Sequence, residues 1–272
     1  MLFALQCRGL PDVAAFHRKG FAVSTVSAGD VFRVATYNIH KGVQGLGPLR
    51  RLEIHNLGLA VEAMDADLVC LQEVRLENRR EARRFAHWPH RGQADFLAPE
   101  GYESVYRSNA ITRHGEHGNA LLSRWPVVTH QHEDMSDHRL EQRGLLHATV
   151  GLPGGEVHVL VVHLGLIRAS RVRQVEQLIR FIDREVPAGS PLVVAGDFNE
   201  WGGWMRGAVA DVGLEGWPGP KQATFPSRLP LVQLDHVFFR GMAPMGLHVP
   251  RGPIWARMSD HLPLIAEFGM PH

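Results

Sequence analysis

The segment PLVVAGDFNE, residues 191–200, predicts a buried β-strand that ends in a group of polar side chains. A proline precedes a valine-rich apolar run that stops at Gly196, and a short apolar run bounded in this way is typical of a buried strand. Asp197, Asn199 and Glu200 follow at once, and because polar groups are costly inside a core, we expect them at the rim of a sheet. There a carboxylate could take a proton from water or bind a hard cation, and an amide could donate to an anionic oxygen. The alternative is a simple turn, in which Asp and Asn are common.

Five further predicted strands carry polar residues at one end. Asn38 ends an apolar strand at 31–39, Glu73 ends one at 67–74 and His163 ends one at 156–164; Asp235 and His236 begin a strand at 234–239, and Asp260 and His261 precede one at 262–268. The preference of Asp and Asn for turns does not by itself explain polar residues at the ends of so many predicted strands. The sequence therefore predicts that these side chains are fastened to the rim of one fold.

Length and composition fit one domain built on two sheets. The chain has 272 residues, of which 44% are apolar in the wide sense, and this is enough to bury a substantial core. The formal net charge of +1 is far below that of a strongly nucleic-acid-binding domain, so any site for a polyanion must be local. We expect residues 1–29 to form a weakly ordered N-terminal arm and residues 30–270 to form a single domain.

Neither the cysteines nor the apolar runs suggest a secreted or membrane-spanning protein. Cys7 lies in the arm and Cys70 in a predicted core strand, so we expect no disulfide between them, and there is no cysteine cluster of the metal-binding type. No apolar run reaches the length of a membrane span, and no basic segment precedes a long apolar core at the start of the chain. We therefore expect a soluble, cytoplasmic protein.

Helical periodicity predicts two long helices. Apolar residues recur at helical spacing over about 49–64 and over 170–186, and Ser170 is the expected N-cap of the second helix. Residues 93–102 are predicted to be a loop, and a short helix is predicted after residue 200. The strands fall into two groups separated by the helix at 170–186, which suggests two packed sheets with helices outside.

The segment RLENRREARRFAHWPHR, residues 75–91, is the most basic part of the chain. Glu77 and Glu81 are interleaved with its arginines, which favours a solvated helix laced by ion pairs. Because the segment follows Glu73 directly, the other hypothesis is an anion-binding wall beside that carboxylate. Arg79 and Arg83 are then the expected contacts.

Two further motifs are weak. The loop HKGVQGLGP at 40–48 joins a strand to a helix as a phosphate-binding loop would, but it lacks the Gly-Lys-Ser/Thr ending of a nucleotide P-loop. His114 and His117 could be read as zinc ligands, but no third ligand stands at motif spacing, and we expect both to be exposed in a turn.

In order along the chain, the motifs TYNIH, LQEV, HGNALLSR, VVHLGL, GDFN, LDHVF and SDHLPL resemble those of the endonuclease/exonuclease/phosphatase superfamily, which includes deoxyribonuclease-I-like nucleases. The resemblance covers about residues 31–268. It implies an α/β fold, a four-layer α/β sandwich in which two packed mixed β-sheets are flanked by helices. It also implies hydrolysis of phosphate esters, without selecting a substrate.

The resemblance gives each rim residue a role. Glu73, Asn38 and Asp260 are the expected ligands of Mg²⁺ or Mn²⁺, which are hard cations that suit oxygen donors. Asp197 is expected to activate water, Asn199 to hold a phosphate oxygen, His261 to assist at the transition state with Asp235 fixing its ring, and His163 to contact the phosphate from the opposite side. Asn119 of the HGNALLSR motif is a further expected phosphate contact.

Two departures bear on the substrate. Abasic-site endonucleases carry an aspartate where this chain has His40 and tend to have a tyrosine where it has His163. A histidine at position 163 is similar to the sphingomyelinase and phosphatase branches, which weakens a DNA-repair role and keeps lipid phosphodiesters in consideration.

Three hypotheses follow, and all assume a monomer. The first is a divalent-metal-dependent phosphodiesterase, in the first instance a nuclease acting on nucleic acid. The second is a phospholipid or sphingomyelin phosphodiesterase, or an inositol-phosphate phosphohydrolase. The third is an inactive binding module, which the complete set of acids, amides and histidines disfavours. Steep salt dependence would mark a nuclease, and an apolar patch at the rim of the site would mark a lipid enzyme.

Overall fold

The computed structural model describes residues 31–270. The predicted N-terminal arm lies outside the described residues. The strands, in chain order, are β1 (Val31–Asn38), β2 (Val43–Gln44), β3 (Arg51–Leu52), β4 (Leu68–Val74), β5 (Glu103–Thr112), β6 (Gly115–Ser123), β7 (Val127–Asp134), β8 (Gly144–Leu152), β9 (Gly155–His163), β10 (Leu192–Asp197), β11 (Glu215–Gly216), β12 (Asp235–Arg240), β13 (Pro244–His248) and β14 (Leu264–Gly269). The α-helices are α1 (Ile54–Met64), α2 (Arg79–Arg84), α3 (Gln93–Leu97), α4 (Arg168–Glu185), α5 (Met205–Ala208) and α6 (Trp255–Met258).

The strands form two six-stranded sheets and one small ribbon. The first sheet has the order β13-β14-β1-β4-β6-β5, the second has the order β11-β12-β10-β9-β8-β7, and β2 pairs with β3. Each large sheet has one parallel pair, β1 with β4 and β9 with β10, whereas its other neighbours are antiparallel. Helix α1 lies between β1 and β4 in the chain and α4 lies between β9 and β10, because parallel strands need a long crossover.

The two parallel pairs end at the same end of the molecule, which we call the rim. In register, Asn38 lies beside Gln72 and Asp197 lies beside His163, so the carboxyl ends of the four central strands carry polar residues. The antiparallel neighbours β12 and β14 begin there, and Asp235 pairs with Asp197. The opposite end, where β4 and β10 begin, is called the far end.

Three apolar layers hold the sheets and helices together. Alternate residues of both sheets fill the space between them, as Val34, Leu121, Val159 and Val193 do. A second core packs the other face of the first sheet against α1 and α3, and a third packs the other face of the second sheet against α4 and α5. The helix–sheet–sheet–helix order confirms the predicted four-layer α/β sandwich.

The boundary between the two sheets was predicted wrongly. Helix α4 connects β9 to β10 inside the second sheet, whereas the chain changes sheet between β6 and β7 and again between β12 and β13. The physical reason is the parallel pairing of β9 with β10, since a helix that joins two parallel strands keeps them in one sheet. Strand β13 was not predicted from the sequence.

Several predicted helix boundaries also differ. Helix α1 begins at Ile54 rather than near residue 49, because residues 47–49 form a separate turn in which Leu49 is exposed. Ser170 does not cap α4, which begins at Arg168; its hydroxyl donates to Asp137. Residues 93–97 are helical although a loop was predicted, and α5 confirms the short helix after residue 200.

The solvated helix predicted for the basic segment 75–91 is present but covers only Arg79–Arg84. The Asn78 side chain caps α2 by accepting from the backbone N–H of Glu81, and Phe85 ends it in an extended conformation. No helix among residues 31–270 is long and apolar enough to cross a membrane. The cytoplasmic location stays a prediction.

Candidate active site

One carboxylate oxygen, Oδ2 of Asp197, lies at the centre of the rim. Asp197 is the last residue of β10 and its side chain is buried between the two sheets. Nδ2 of Asn38, at the end of β1, donates to this oxygen at 3.0 Å. Nε2 of His163 lies 3.5 Å from the same oxygen, and Nε2 of His261 lies 3.6 Å from it. Four strand ends thus converge on a single oxygen.

The other oxygen of Asp197 is held by the turn that follows it. The backbone N–H of Asn199 donates to Oδ1 of Asp197 at 2.9 Å. Nδ2 of Asn199 donates to the carbonyl of Leu164 at 2.9 Å, so the turn after β10 is tied to the end of β9. The second amide hydrogen of Asn199 is the one that could reach a substrate oxygen. The predicted phosphate contact of Asn199 stays a prediction.

Asp235 and His261 are in direct contact. Nδ1 of His261 lies 2.8 Å from Oδ2 of Asp235, which is fully buried. The backbone N–H of His261 donates to Oγ of Ser259, and that hydroxyl donates to the carbonyl of Asn38 at 2.6 Å. The imidazole therefore has a fixed position, with Nε2 directed toward Asp197.

The two histidines that flank Asp197 differ in charge. Burial by itself would lower the pKa of His261, but the carboxylates of Asp235 and Asp197 raise it well above its ordinary value. Burial lowers the pKa of His163 well below its ordinary value, and the positive charge of Arg143 adds to this effect. At neutral pH one face of Asp197 meets an imidazolium and the other meets a neutral imidazole.

Asp197 itself has a raised pKa. Burial is the main cause, and the carboxylate of Asp235 adds to it, whereas the positive charge of His261 opposes it. A carboxylate with a raised pKa is a stronger base than an ordinary aspartate. This property suits the predicted role of Asp197 in activating water.

A second pair of carboxylates lies at the rim of the first sheet. Oε2 of Glu73, at the end of β4, accepts from Nζ of Lys41 at 2.5 Å. Nδ1 of His40 lies 3.1 Å from Oδ2 of Asp260 and 3.9 Å from Oε2 of Glu73. Burial by itself would raise the pKa of Glu73, but the positive charge of Lys41 outweighs it, and the pKa lies below its ordinary range. The pKa of Asp260 is also lowered, because its hydrogen bond with His40 and the charge of His261 outweigh burial.

Two groups of side chains could hold a cation. Among the described residues, Asp197, Asp235 and His261 offer ligand atoms within 4.8 Å of one another, but all three are buried and already bonded to each other or to Asn38. Glu73 and Asp260 are both ionised and partly open to solvent, as Mg²⁺ requires because it keeps several of its waters. The second group, with the amide oxygen of Asn38 nearby, fits a hard divalent cation better.

Backbone strain is concentrated at the rim. Five non-glycine residues among the described ones have positive φ, and four of them, His40, Lys41, Glu73 and Asn199, lie beside the carboxylates. Each such residue costs free energy on the order of 1–3 kcal/mol, so the surrounding structure must hold it in place. Asp65, the fifth, ends α1 at the far end, where the left-handed conformation is common at a helix C-cap.

Asn119 is buried on β6, away from solvent. Its Nδ2 donates to the carbonyls of Gly144 and Val161, both in the second sheet, at 2.9 Å and 3.0 Å. Its Oδ1 has no partner among the described residues. The side chain therefore links the two sheets next to the rim, and its predicted phosphate contact stays a prediction.

The arginines of α2 line an open groove on the segment that follows β4. The groove has a volume of about 400 Å³ and is lined by Arg79, Arg80, Arg83, Arg84, Arg113 and His114. The backbone N–H of Arg79 donates to the carbonyl of His114, which fixes α2 against the turn between β5 and β6. Glu81 is buried and pairs with Arg50 at 2.7 Å rather than with its helical neighbours. Arg79 forms an exposed ion pair with Glu77 at 3.3 Å and Arg84 donates to the carbonyl of Gly47, whereas Arg80 and Arg83 form no ion pair among the described residues.

Two site residues, Lys41 and His117, were missed by sequence reasoning. Lys41 follows His40 in the loop after β1, and this loop was interpreted only through its glycines. A lysine so soon after a strand that ends at the rim is itself a sign of a contact with a rim carboxylate, here Glu73. His117, expected in an exposed turn, lies half-buried in β6, where burial first and then the charge of Lys41 lower its pKa to about 4. Glu200, which was predicted at the rim together with Asn199, is buried there and accepts from Nε1 of Trp204 at 2.6 Å, which holds the loop after Asn199.

Comparison with known proteins places this site in a family. The model of the Endonuclease/Exonuclease/phosphatase family matches residues 35–261. The uncharacterized protein YbhP of Escherichia coli is 36% identical over 247 residues, which are 87% of this chain and 95% of that protein.

Solved structures share the fold. An endonuclease/exonuclease/phosphatase from Beutenbergia cavernae superposes with a TM-score of 0.71 at 24% identity, over 89% of this chain and 72% of that one. The human Nocturnin catalytic domain superposes with a TM-score of 0.64 at 22% identity, over 89% of this chain and 94% of that one. The chain therefore belongs to the endonuclease/exonuclease/phosphatase family, whose members hydrolyse phosphoester bonds.

Proposed function

We propose that the protein is a divalent-metal-dependent phosphodiesterase whose reaction takes place at Asp197. The observation that carries this proposal is the convergence of Asn38, His163 and His261 on one oxygen of Asp197, with Asp235 behind His261. Ester hydrolysis needs a base for water and donors for the charge that develops on the phosphoryl oxygens. Both requirements are met within one buried group of side chains.

The side chains divide the proton chemistry between them. Asp197, with its raised pKa, takes the proton from the attacking water. His261 carries a positive charge that Asp235 stabilises, so its Nε2–H donates to a phosphoryl oxygen as negative charge develops there. His163 is neutral, so His261 is the one charged imidazole of the pair. The role of His163 is to position the phosphate.

Glu73, Asp260 and the amide oxygen of Asn38 would hold Mg²⁺ or Mn²⁺. When bound, the cation supplies charge neutralisation at the phosphoryl group. Lys41 and His40 contact these carboxylates and keep both ionised, and the ammonium of Lys41 would be displaced from Glu73 by a bound cation. The strained backbone at Lys41 and Glu73 fixes the direction of the two side chains.

The arginine groove favours a polyanionic substrate. Its guanidinium groups begin within a few residues of Glu73, and guanidinium matches phosphate oxygens in bidentate geometry. Nucleic acid is one candidate with this character, and Arg79 and Arg83 remain the proposed contacts. An assembly of anionic phospholipids is the other. We propose that the enzyme acts as a monomer, which light scattering after gel filtration would test.

A metal-rescue assay tests the proposal. The protein is treated with chelator and assayed on bis(p-nitrophenyl) phosphate and p-nitrophenyl phosphate, with and without Mg²⁺ or Mn²⁺. We expect the metal to restore turnover of the diester, because the rim is built to hold a cation beside the base. Full activity in excess chelator would refute metal dependence, and a clear preference for the monoester would refute the diesterase assignment.

The same preparation identifies the substrate class. DNA, RNA, phospholipid vesicles and an inositol phosphate are assayed side by side with the preferred metal. A nuclease should lose substrate affinity steeply as salt rises, with a slope set by the number of phosphate contacts. Charge reversal of Arg79 and Arg83 should reduce that slope by about one unit for each lost contact.

A further inference from the structure

Large apolar side chains are exposed mainly around the rim. The loops that leave or enter the rim expose Leu46, Leu49, Leu76, Ile111, Leu140, Leu166, Ile167, Trp201, Leu229, Leu231 and Ile254. Some are almost fully exposed, with Leu140 at 96% and Leu46 at 87%. Exposed apolar residues scattered singly are normal, but these lie on seven different segments that all reach the same end of the sandwich.

The far end lacks this feature within the described part of the chain. Its connections, residues 65–67, 98–102, 124–126, 153–154, 186–191 and 241–243, contain no exposed large apolar side chain. Near that end only the strand residues Val128 and Met245 are exposed among the described large apolar side chains, just as Ile111 is a strand residue at the rim, and Leu59 and Val172 are exposed on the outer faces of α1 and α4. The apolar surface is therefore polarised toward the site.

Positive charges outnumber negative ones among the exposed side chains of the rim loops. Exposed basic residues on these loops are Arg51, Arg79, Arg80, Arg83, Arg84, Arg91, Arg113, Arg139, Arg168, Lys221, Arg228, Arg251 and Arg257. Exposed acidic residues on or next to the same segments are fewer: Glu77, Asp95 and Asp134, with Asp211 and Glu215 in the connection from β10 to β12. The rim thus combines projecting apolar side chains with a positive field, although the whole chain has a net charge of only +1.

We propose that the rim is a docking surface for an anionic phospholipid bilayer. Apolar side chains at the tips of loops can enter the boundary between headgroups and acyl chains, and arginines on the same face are attracted to anionic headgroups. This arrangement would bring a lipid phosphodiester to Asp197. The identity of the substrate rests on the proposed function, whereas docking itself does not require turnover.

The chemistry of the side chains favours a bilayer over nucleic acid. Single-stranded nucleic acids are held by aromatic residues that stack on bases, together with basic groups. Here the exposed apolar residues are leucine and isoleucine with one tryptophan, Trp201, and aliphatic side chains neither stack on bases nor gain from contact with phosphate. Basic residues alone would suit either partner, so the aliphatic tips decide the assignment.

Trp201 provides a built-in probe of docking. Its side chain is exposed and lies in the loop that follows Asn199 and Glu200. Vesicles of phosphatidylcholine alone and of phosphatidylcholine mixed with phosphatidylglycerol are added to the wild type and to Trp201→Phe. We expect a blue shift of tryptophan emission with the anionic vesicles, and we expect that shift to be smaller in Trp201→Phe.

Co-sedimentation with the same vesicles measures affinity. The variant Leu46→Asp/Leu140→Asp/Leu229→Asp removes one apolar tip from each of three rim loops, and we expect its vesicle binding to fall by about tenfold or more. The matched control, Val128→Asp/Met245→Asp, changes exposed apolar residues near the far end and should bind like the wild type. Circular dichroism and turnover of bis(p-nitrophenyl) phosphate establish that both variants are folded and intact at the site.

The outcomes separate docking from catalysis. Absence of wild-type binding to anionic vesicles, or equal binding by the triple variant and the wild type, would overturn the proposal. Salt-sensitive binding to single-stranded DNA or RNA without vesicle binding would assign the rim to nucleic acid instead. Vesicle binding by a protein that hydrolyses no phosphodiester would preserve the docking surface and refute the proposed function.

Discussion

The two ends of the sandwich are built on opposite principles. At the far end, charged side chains at the surface pair with one another, Arg33 with Asp65 at 2.9 Å and Arg124 with Asp65 at 2.8 Å, and Arg124 also reaches the buried Asp67 at 2.9 Å. At the rim, charged groups are buried between the sheets, as Asp197, Asp235 and His261 are, while leucines on the loops face solvent. The usual distribution of polar and apolar groups is thus reversed at one end only.

The difference shows which end of the molecule is destabilised for the sake of function. Exposed ion pairs are worth little, with a median near 0–1 kcal/mol, and they cost little to form. Buried ionisable groups require exact partners, and the positive φ values at His40, Lys41, Glu73 and Asn199 add strain. The rim is therefore less stable than it could be, and its chemical task explains why these residues are present there.

The largest expected effect concerns Asp235 and His261. Asp235→Asn and His261→Ala should each lower kcat by orders of magnitude, because either change removes the oriented, positively charged imidazole beside Asp197. The double variant should be little worse than the poorer single variant, since residues that act as a unit are non-additive. The measurement is a double-mutant cycle on diester turnover.

An exposed histidine serves as the control for this cycle. His130→Ala, on the solvent side of β7, should leave kcat unchanged. Thermal unfolding checks that each variant is folded. Fully multiplicative losses in the double variant would show that Asp235 and His261 do not cooperate, and the pairing would have to be withdrawn as a functional unit.

The second effect concerns the proposed metal ligands. Glu73→Gln should raise the Mg²⁺ concentration needed for half-maximal turnover by at least about tenfold. Even the loss of a side chain that only supports a metal ligand typically lowers metal affinity by about 10–100-fold. Glu77→Gln, four residues away and exposed, is the matched control and should behave as the wild type. Equal metal requirements for the two variants would remove Glu73 from the set of ligands.

The third effect is on stability against pH and concerns a region outside the rim. His147 and His158 are buried under α4 with Nε2 of His147 3.0 Å from Nδ1 of His158, and burial lowers the pKa of His147 to about 4. The unfolded chain protonates His147 near its ordinary pKa of about 6.5, whereas the folded chain resists protonation until about pH 4. Stability should therefore fall as the pH decreases through this window, by about 2 kcal/mol from this residue.

Urea unfolding between neutral pH and about pH 4.5 measures this slope. His147→Gln should make it shallower, because the replacement does not titrate. Glu185 lies near His147 and opposes the shift, so its removal should steepen the slope slightly. A slope that is identical in His147→Gln and the wild type would show that the buried histidine pair does not govern the acid sensitivity of the fold.

The smallest effect belongs to the far end. Arg124→Ala removes an exposed ion pair with Asp65 and a pair with the buried Asp67, which keeps its hydrogen bond from the backbone N–H of Arg33, and it should lower the free energy of unfolding by about 1 kcal/mol. Turnover and metal requirement should stay unchanged, because the residue lies at the opposite end from Asp197. A large loss of activity in Arg124→Ala would break the division between the two ends.

The position of a site residue could be predicted from the sequence where the residue type and its place at the end of a strand were enough. Polar residues at the ends of apolar strands, such as Asp197 and His163, could be assigned to the rim because a strand that is buried on both faces leaves them no other place. The contact between Asp235 and His261 could be inferred only with the family resemblance, since 26 residues separate them and no local pattern joins them.

The remaining features depend on three-dimensional arrangement. The change of sheet near Arg124 was missed because strand patterns do not state which strands pair, and only the parallel pairing of β9 with β10 keeps α4 inside one sheet. Lys41 and His117 were missed because their importance comes from Glu73, a distant neighbour in the chain. The exposed leucines of the rim gave no sequence signal either, since exposure is set by loops that follow no regular period.

The most direct test of the central claim is the turnover of Asp197→Asn compared with that of Asp211→Asn, an exposed aspartate in the turn that follows α5. Both variants are titrated with Mg²⁺ or Mn²⁺ after chelation and assayed on bis(p-nitrophenyl) phosphate, and metal binding is measured separately by calorimetry. We predict that Asp197→Asn binds the metal like the wild type but turns over orders of magnitude more slowly, because its amide cannot take a proton from water, while Asp211→Asn is unaffected. Wild-type turnover by Asp197→Asn would contradict the account, since the oxygen on which Asn38, His163 and His261 converge would then have no part in the reaction.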